Sequence, residues 1–406
     1  MMFKRFIQDR KASVAPLLAI GAIPLFGFVG AAVDYSRVNS TRSSMQAALD
    51  ATTLMLARNA QSLSGGQITQ QGSGLFTANF PGSGVNNLAV TTTPGSASGG
   101  NTVTGTATAS ISTQFMKVIG VETITITVRS VALAISDGLG CVLALNLNAS
   151  GAVTSQGSTS VALNNCSLYD NSNNSTALTA GGSSRLSALS VGVVGGVSGT
   201  NNIVTTGGIL TLGAPVADPY ENDTFSAPPG NCQNQSPLHN TQTLSGGFFC
   251  GLTLNASANV TLNPGVYYIG KDGLSVNGTA TLTGSNVTLV FTSSNGKYGD
   301  ATINGGATVN LTPPTFGPTA GIVIFGDRNM PVGTSFKFNG GASQYLGGSI
   351  YVPKGAIQFS GGAGTSTSCT QIIGDTVTFT GNSNVAINCS SYKTKPFSPN
   401  VVRLVS

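Results

Sequence analysis

The sequence predicts a mainly β chain with one long N-terminal α-helix that crosses a membrane and continues as a stalk. Three observations lead there. An uncharged apolar run fills residues 13–33, short runs of alternating apolar and polar residues follow from about residue 88, and strand–Asn/Gly–strand units recur at intervals of about 20 to 35 residues beyond Cys141. Alternation with a period of two marks a strand with one buried face, whereas a fixed longer period marks stacked repeats. The exported part is therefore expected to be a parallel β-helix. An antiparallel β-sandwich is the alternative, because strand–Gly–strand units also read as hairpins.

The apolar run is SVAPLLAIGAIPLFGFVGAAV. As a helix rising 1.5 Å per residue it reaches about 30 Å, the thickness of a hydrocarbon core. Lys4, Arg5, Arg10 and Lys11 precede it and Asp34 follows it. Positive charge stays on the cytoplasmic side, which places the N-terminus inside and the bulk of the chain outside. Pro16 falls in the first turn, where its missing N–H costs little, and Pro24 is expected to kink the span. Gly21, Gly27, Gly30 and Ala31 are the expected packing surface toward partner helices, since small residues let backbones approach in lipid. A cleaved export signal, with GFVGAA near its end, is the alternative reading. Helical character continues to about residue 60, with Val38, Met45, Leu49, Thr52 and Leu56 on one face.

Residues 1–60 thus hold a basic tip, the span (13–33) and the stalk, and 61–140 a small β region. Its first part, 60 to 85, is polar with Gly and Pro and reads as a linker. LAVTTTP, NTVTGTATASIS and ETITITVRSVALAIS then alternate, with apolar faces Val103, Ala107, Ala109 and Ile111, then Ile124, Ile126 and Val128. A small sheet packed on the stalk is expected. A first repeat block covers 141–212, a Pro-rich excursion 213–231, and a second block with a C-terminal tail 232–406. The later copies begin near residues 252, 274, 301, 336, 357 and 377.

Only 8% of the residues are charged and Trp is absent, yet Val, Ile, Thr, Phe and Tyr recur, which favours extracellular β-structure over disorder. The net charge of +5 collects largely at the two ends, so no nucleic-acid footprint is expected. Cys141, Cys166, Cys232, Cys250, Cys369 and Cys389 form no C-x-x-C pair, and His239 is the single histidine. Zinc ligation has no support; disulfides in an oxidising compartment do, and sequential pairing encloses moderate loops. Asp218, Glu221 and Asp223 form the one close carboxylate group past residue 135. They read as a solvated loop rather than a Ca²⁺ site, and His239 lacks a nucleophile to activate. No catalytic residue, metal or cofactor is expected. The many N-x-[ST] triplets, as at Asn255, Asn259 and Asn286, read as corner or ladder asparagines.

The run DRKASVAPLLAIGAIPLFGFVGAAVDYSRV, followed by MQAALDATTLMLA, resembles the TadE/TadG-like proteins of tight-adherence (Flp) pilus systems. Lys11, Val14, Ala15, Pro16, Val33, Asp34 and Tyr35 carry the match over the first sixty residues. The resemblance implies a bacterial inner-membrane anchor serving pilus assembly, non-catalytic, with other pilus-assembly proteins as partners and a surface glycan or protein as the possible ligand outside. A secreted β-helix adhesin or polysaccharide-active enzyme is the alternative. Two departures stand out. The prepilin cleavage site, with Gly at the boundary and Glu five residues in, is missing. Where larger TadG-like members carry the metal-binding D-x-S-x-S, this chain has Asn146, Asn148 and Ser150, without the leading carboxylate.

Overall fold

The computed structural model describes residues 14–60, 63–82, 84–97, 100–135, 139–212, 214–339, 343–360, 369–380, 383–386, 390–399 and 401–405, with the side chains of 14–19, 23, 100, 135, 343, 383–386, 390 and 401 outside that description. The chain divides into two compact units. The first comprises Met1–Ser136 with Asn400–Ser406, and the second Asp137–Pro399.

The first unit begins with helix α1, Val14–Asn59, continuous through Pro24. A second helix, α2, covers Gly65–Asn79, where the sequence reads as a linker. The difference has a local cause. Ser64 accepts the Gln67 N–H, and the Gln67 side chain accepts the Ser64 N–H, a reciprocal capping box that satisfies two orphan donors. Three strands follow: β1, Asn86–Ala97; β2, Gly100–Ser112; and β3, Thr123–Ile135. They form an antiparallel sheet in sequence order, and Val401–Leu404 adds a fourth strand against β3. The residues read as a C-terminal tail of the second block thus belong to this sheet.

The lower half of α1 covers the sheet. Met45, Leu49, Leu56 and Ala57 are buried, with Val103, Ala107, Ala109 and Ile111 of β2, Ile126 and Val128 of β3, and Phe76 of α2. Ile124, expected on the same face, is half-buried. Gly105 sits where β2 passes under the helix. A Cβ there would lie 2.7 Å from Thr53 Cγ2 and 2.8 Å from Leu49 Cδ1, so the helix approaches as close as it does because the side chain is absent. Thr53 and Ser130, both buried, share a hydrogen bond of 2.8 Å.

In the second unit, every pairing between described strands is parallel, so the antiparallel alternative does not apply. The repeat starts read from the sequence fall in register. Leu252 pairs with Leu274, then Ala301, Phe336, Ile357 and Val377 in turn. The row continues from Val377 to Val153, Leu178 and Val197. Buried aromatic rings stack beside it two residues further on: Phe338 on Phe359 at 4.9 Å and Phe359 on Phe379 at 6.0 Å. At a corner, Asn339 donates to Asn304, Asn304 to Asn277 and Asn277 to Asn255, a ladder of side-chain amides at 3.5, 2.9 and 3.4 Å.

The order of the stack departs from the order of the chain. From one end it runs 209–211, 191–193, 167–170, 140–144, and then directly to 370–380, 348–360, 322–326, 287–291, 265–276 and 247–254. The first block therefore lies on the last repeat, with Val142 beside Ile372, and the chain must travel from one end of the stack to the other between 212 and 241. The Pro-rich excursion makes that journey as a strap. Val216 exchanges two hydrogen bonds with the Asn171 amide, Tyr220 O–H donates to Gln371 at 3.2 Å, Phe225 packs on Phe325, and Cys232 is bonded to Cys250.

Candidate functional site

Along α1 apolar side chains are exposed first and buried further on, with Val33 and Tyr35 still exposed. Ile20, Leu25, Phe26, Phe28 and Val29 are all exposed, Phe28 to 78%, and burial begins at Gly30. Such a cluster of bare large apolar side chains is costly in water and marks an interaction surface. Among the described residues no helix is long and apolar enough to cross a membrane. The expected span begins at Ser13, outside the described residues, as do the basic residues before it, and the side chain of Pro16 also falls outside.

Asp34 stands where this surface ends. Its carboxylate is 2% exposed and accepts the N–H groups of Gln114, Phe115 and Met116 at 2.8–3.1 Å, with Arg37 at 3.8 Å. Those three donors open the one-turn helix Met116–Ile119, which has no side-chain cap of its own. Burial alone would raise the Asp34 pKa; the hydrogen bonds from Met116, Gln114 and Phe115, with the Arg37 charge, outweigh it and hold the group below its ordinary value. The motif aspartate is thus a clamp across the sequence, tying α1 to the loop between β2 and β3. Tyr35 is exposed.

The small residues expected to meet partner helices divide. Gly21 and Gly27 have nothing within 4 Å of where a Cβ would stand, so their faces are open. Gly30 is taken within the chain, because a Cβ there would come to 2.5 Å from Phe115 Cβ. Ala31 is half-buried.

In the second unit Asp218 and Asp223 are engaged by basic and hydroxyl groups. Arg328 donates from Nη1 and Nη2 to Asp218 Oδ2 at 3.1 Å, and Tyr351 O–H donates to the same oxygen at 2.9 Å. Lys395 Nζ donates to both oxygens of Asp223 at 2.7 and 2.8 Å. Burial, then the charge of Asp218, pushes the Tyr351 hydroxyl far above its ordinary range. These contacts fasten the strap to the stack. Asn146 donates to both oxygens of Asp375 and accepts the Asn148 and Ala149 N–H groups, so it shapes a turn. His239 is exposed, with Asn255 Nδ2 3.3 Å from its Nδ1.

Sequence reasoning passed over Asp170. Fully buried, it accepts the Ser172 N–H at 2.9 Å and the Val153 N–H at 3.1 Å, and burial pushes its pKa up to about 6 against those bonds. Cys141 is bonded to Cys166 and Cys369 is also in a disulfide; Cys389 lies outside the described residues.

Comparison with curated proteins and with solved structures yields no match. The helix with the exposed apolar row and the Asp34 clamp is a different matter: residues 12–58, almost the whole of α1, match the TadE/G-like family of Flp pilus-assembly proteins.

Proposed function

We propose that this chain is a membrane-anchored, non-catalytic assembly protein of a tight-adherence pilus system in the bacterial inner membrane. One coincidence carries the reading: the segment that matches a pilus-assembly family bares its apolar side chains between Ile20 and Val29 and buries others on a sheet from Met45 onward. The apolar row serves as the anchor in the bilayer, the N-terminus stays in the cytoplasm, and the chain beyond Val33 lies outside. The open faces at Gly21 and Gly27 meet helices of other assembly proteins. The parallel stack is a β-helix, whose coils bury apolar side chains against their neighbours and whose exposed Ser, Thr and Asn side chains offer a long surface for a protein or glycan.

The non-catalytic part of the reading is supported by the engagement of Asp218 and Asp223 with Arg328 and Lys395, which leaves neither carboxylate positioned for acid–base work. Alkaline carbonate extraction of native membranes, followed by intact mass, tests the proposal. Retention in the membrane with a start at Met1 or Met2 is expected. A soluble product starting downstream of Tyr35 would overturn it in favour of a secreted adhesin or polysaccharide-active enzyme.

A further inference from the structure

The loop between β2 and β3 has an unusual construction. Thr113 closes its base, with its N–H donating to the Glu122 carbonyl at 3.0 Å and its hydroxyl to the Val121 carbonyl. Inside, Val118 N–H reaches the Phe115 carbonyl, Gly120 N–H the Lys117 carbonyl and Val121 N–H the Met116 carbonyl, each at 3.1 Å, and Asp34 fixes the start. Polar contacts therefore order the loop, while its large apolar side chains stay largely uncovered: Val118 is 88% exposed, Ile119 70% and Phe115, which lies against Gly30, 52%. A loop folded only for its own stability would turn these three inward.

Its position says what covers them. Phe115 rests on Gly30, three residues before the end of the apolar run at Val33, a depth of about 4.5 Å along the helix. Apolar groups that lie in a membrane interface reach about 5–10 Å into the headgroup/acyl boundary, so a loop clamped at Gly30 and Asp34 stands at the shallow edge of that zone. Lys117, also exposed, can carry its ammonium back to the headgroups along its apolar stem.

We propose that Phe115, Val118 and Ile119 insert into the outer leaflet of the bilayer that α1 spans, making the anchor a helix with a second, shallow foot that fixes its rotation and depth. The inference rests on the anchor reading above, and the test separates the two. The chain contains no tryptophan, so one introduced residue reports its own surroundings. The full-length variants Val118→Trp, Ile119→Trp, Phe26→Trp and Phe316→Trp are reconstituted in phosphatidylcholine vesicles, with and without lipid brominated in the upper acyl chain. Phe26 is the reference for the span, and Phe316, exposed in the second unit, the reference for water. Both loop variants should emit at shorter wavelength than Phe316→Trp and lose emission to brominated lipid, as Phe26→Trp does. If Phe26→Trp is quenched while both loop variants behave like Phe316→Trp, the inserted loop is refuted and the anchor stands. A blue-shifted loop signal untouched by bromine means that protein, including a second copy, covers the loop, which also refutes it. No quenching of Phe26→Trp removes the anchor and the foot together.

Discussion

The two units use the same kind of strand and bury it in opposite ways. In the first, β1, β2 and β3 pair with their neighbours in sequence, and helices supply the second layer over the apolar face. In the second, each strand pairs in parallel with the equivalent strand of another repeat, and the stack supplies its own interior, as in the row from Leu252 to Val197. A short-range sheet needs a cover; a stacked one needs ends and a crossing. Hence the first unit depends on close helix–sheet approach at Gly105, and the second on a strap that carries the chain past its own interior.

The contrast can be broken most forcefully inside the stack. Phe359→Ala removes the middle ring of the Phe338–Phe359–Phe379 column and should cost about 3–5 kcal/mol. Calorimetry of the full chain in detergent should show the second unit's transition falling while the first unit's holds; a common fall would mean that the units unfold together. Next in size is a pH effect confined to the same unit. A carboxyl whose pKa rises on folding keeps its proton longer in the folded state. Between the ordinary 3.8 and about 6, the unfolded chain therefore gives up the Asp170 proton first, and stability falls as the pH rises through that window. The loss amounts to about 2–3 kcal/mol, present in full above the window. Asp170→Asn should flatten that slope in denaturant titrations of the second unit.

Two smaller tests sharpen the first unit. Gly105→Ala forces a methyl group against Leu49 and Thr53 and should cost about 1–3 kcal/mol, read as an earlier loss of helical circular dichroism with the stack unaffected. Ser64→Ala removes one half of the capping box at α2 and should cost about 1 kcal/mol or less, seen as faster amide exchange in the first turn of α2 alone.

How far the sequence carries depends on the range of the interaction. The stalk face of Met45, Leu49, Thr52 and Leu56 was legible because helical spacing is local. So was the stack's register, because identical corners repeat: Ser257, Thr279 and Gly306 all adopt positive φ two residues beyond the asparagines of the ladder. Helix α2 was obscured by Gly65, Gly66, Gly72 and Gly74, although Ser64 and Gln67 signal its start. Gly72 is there because Thr92 approaches to 2.0 Å from where its Cβ would be, a reason written in β1 rather than in the helix. Asp34 reads as the polar end of an apolar run; its partners lie eighty residues on, and no spacing rule reaches that far. For the same reason the period revealed that repeats stack, but not that 140–144 meets 370–374.

Ile135 and Val401 face each other as a pair at the end of an antiparallel ladder, the position from which a turn of about two residues ordinarily joins adjacent strands. Along the chain the whole second unit is inserted between these two residues, and within it Gly140 N–H meets the Phe397 carbonyl at 2.9 Å near its two ends. The stack is thus a cassette. Replacing residues 136–400 with Asn-Gly would put a two-residue turn between Ile135 and Val401 and leave a closed hairpin, and an unrelated cargo whose termini lie side by side could be displayed in its stead.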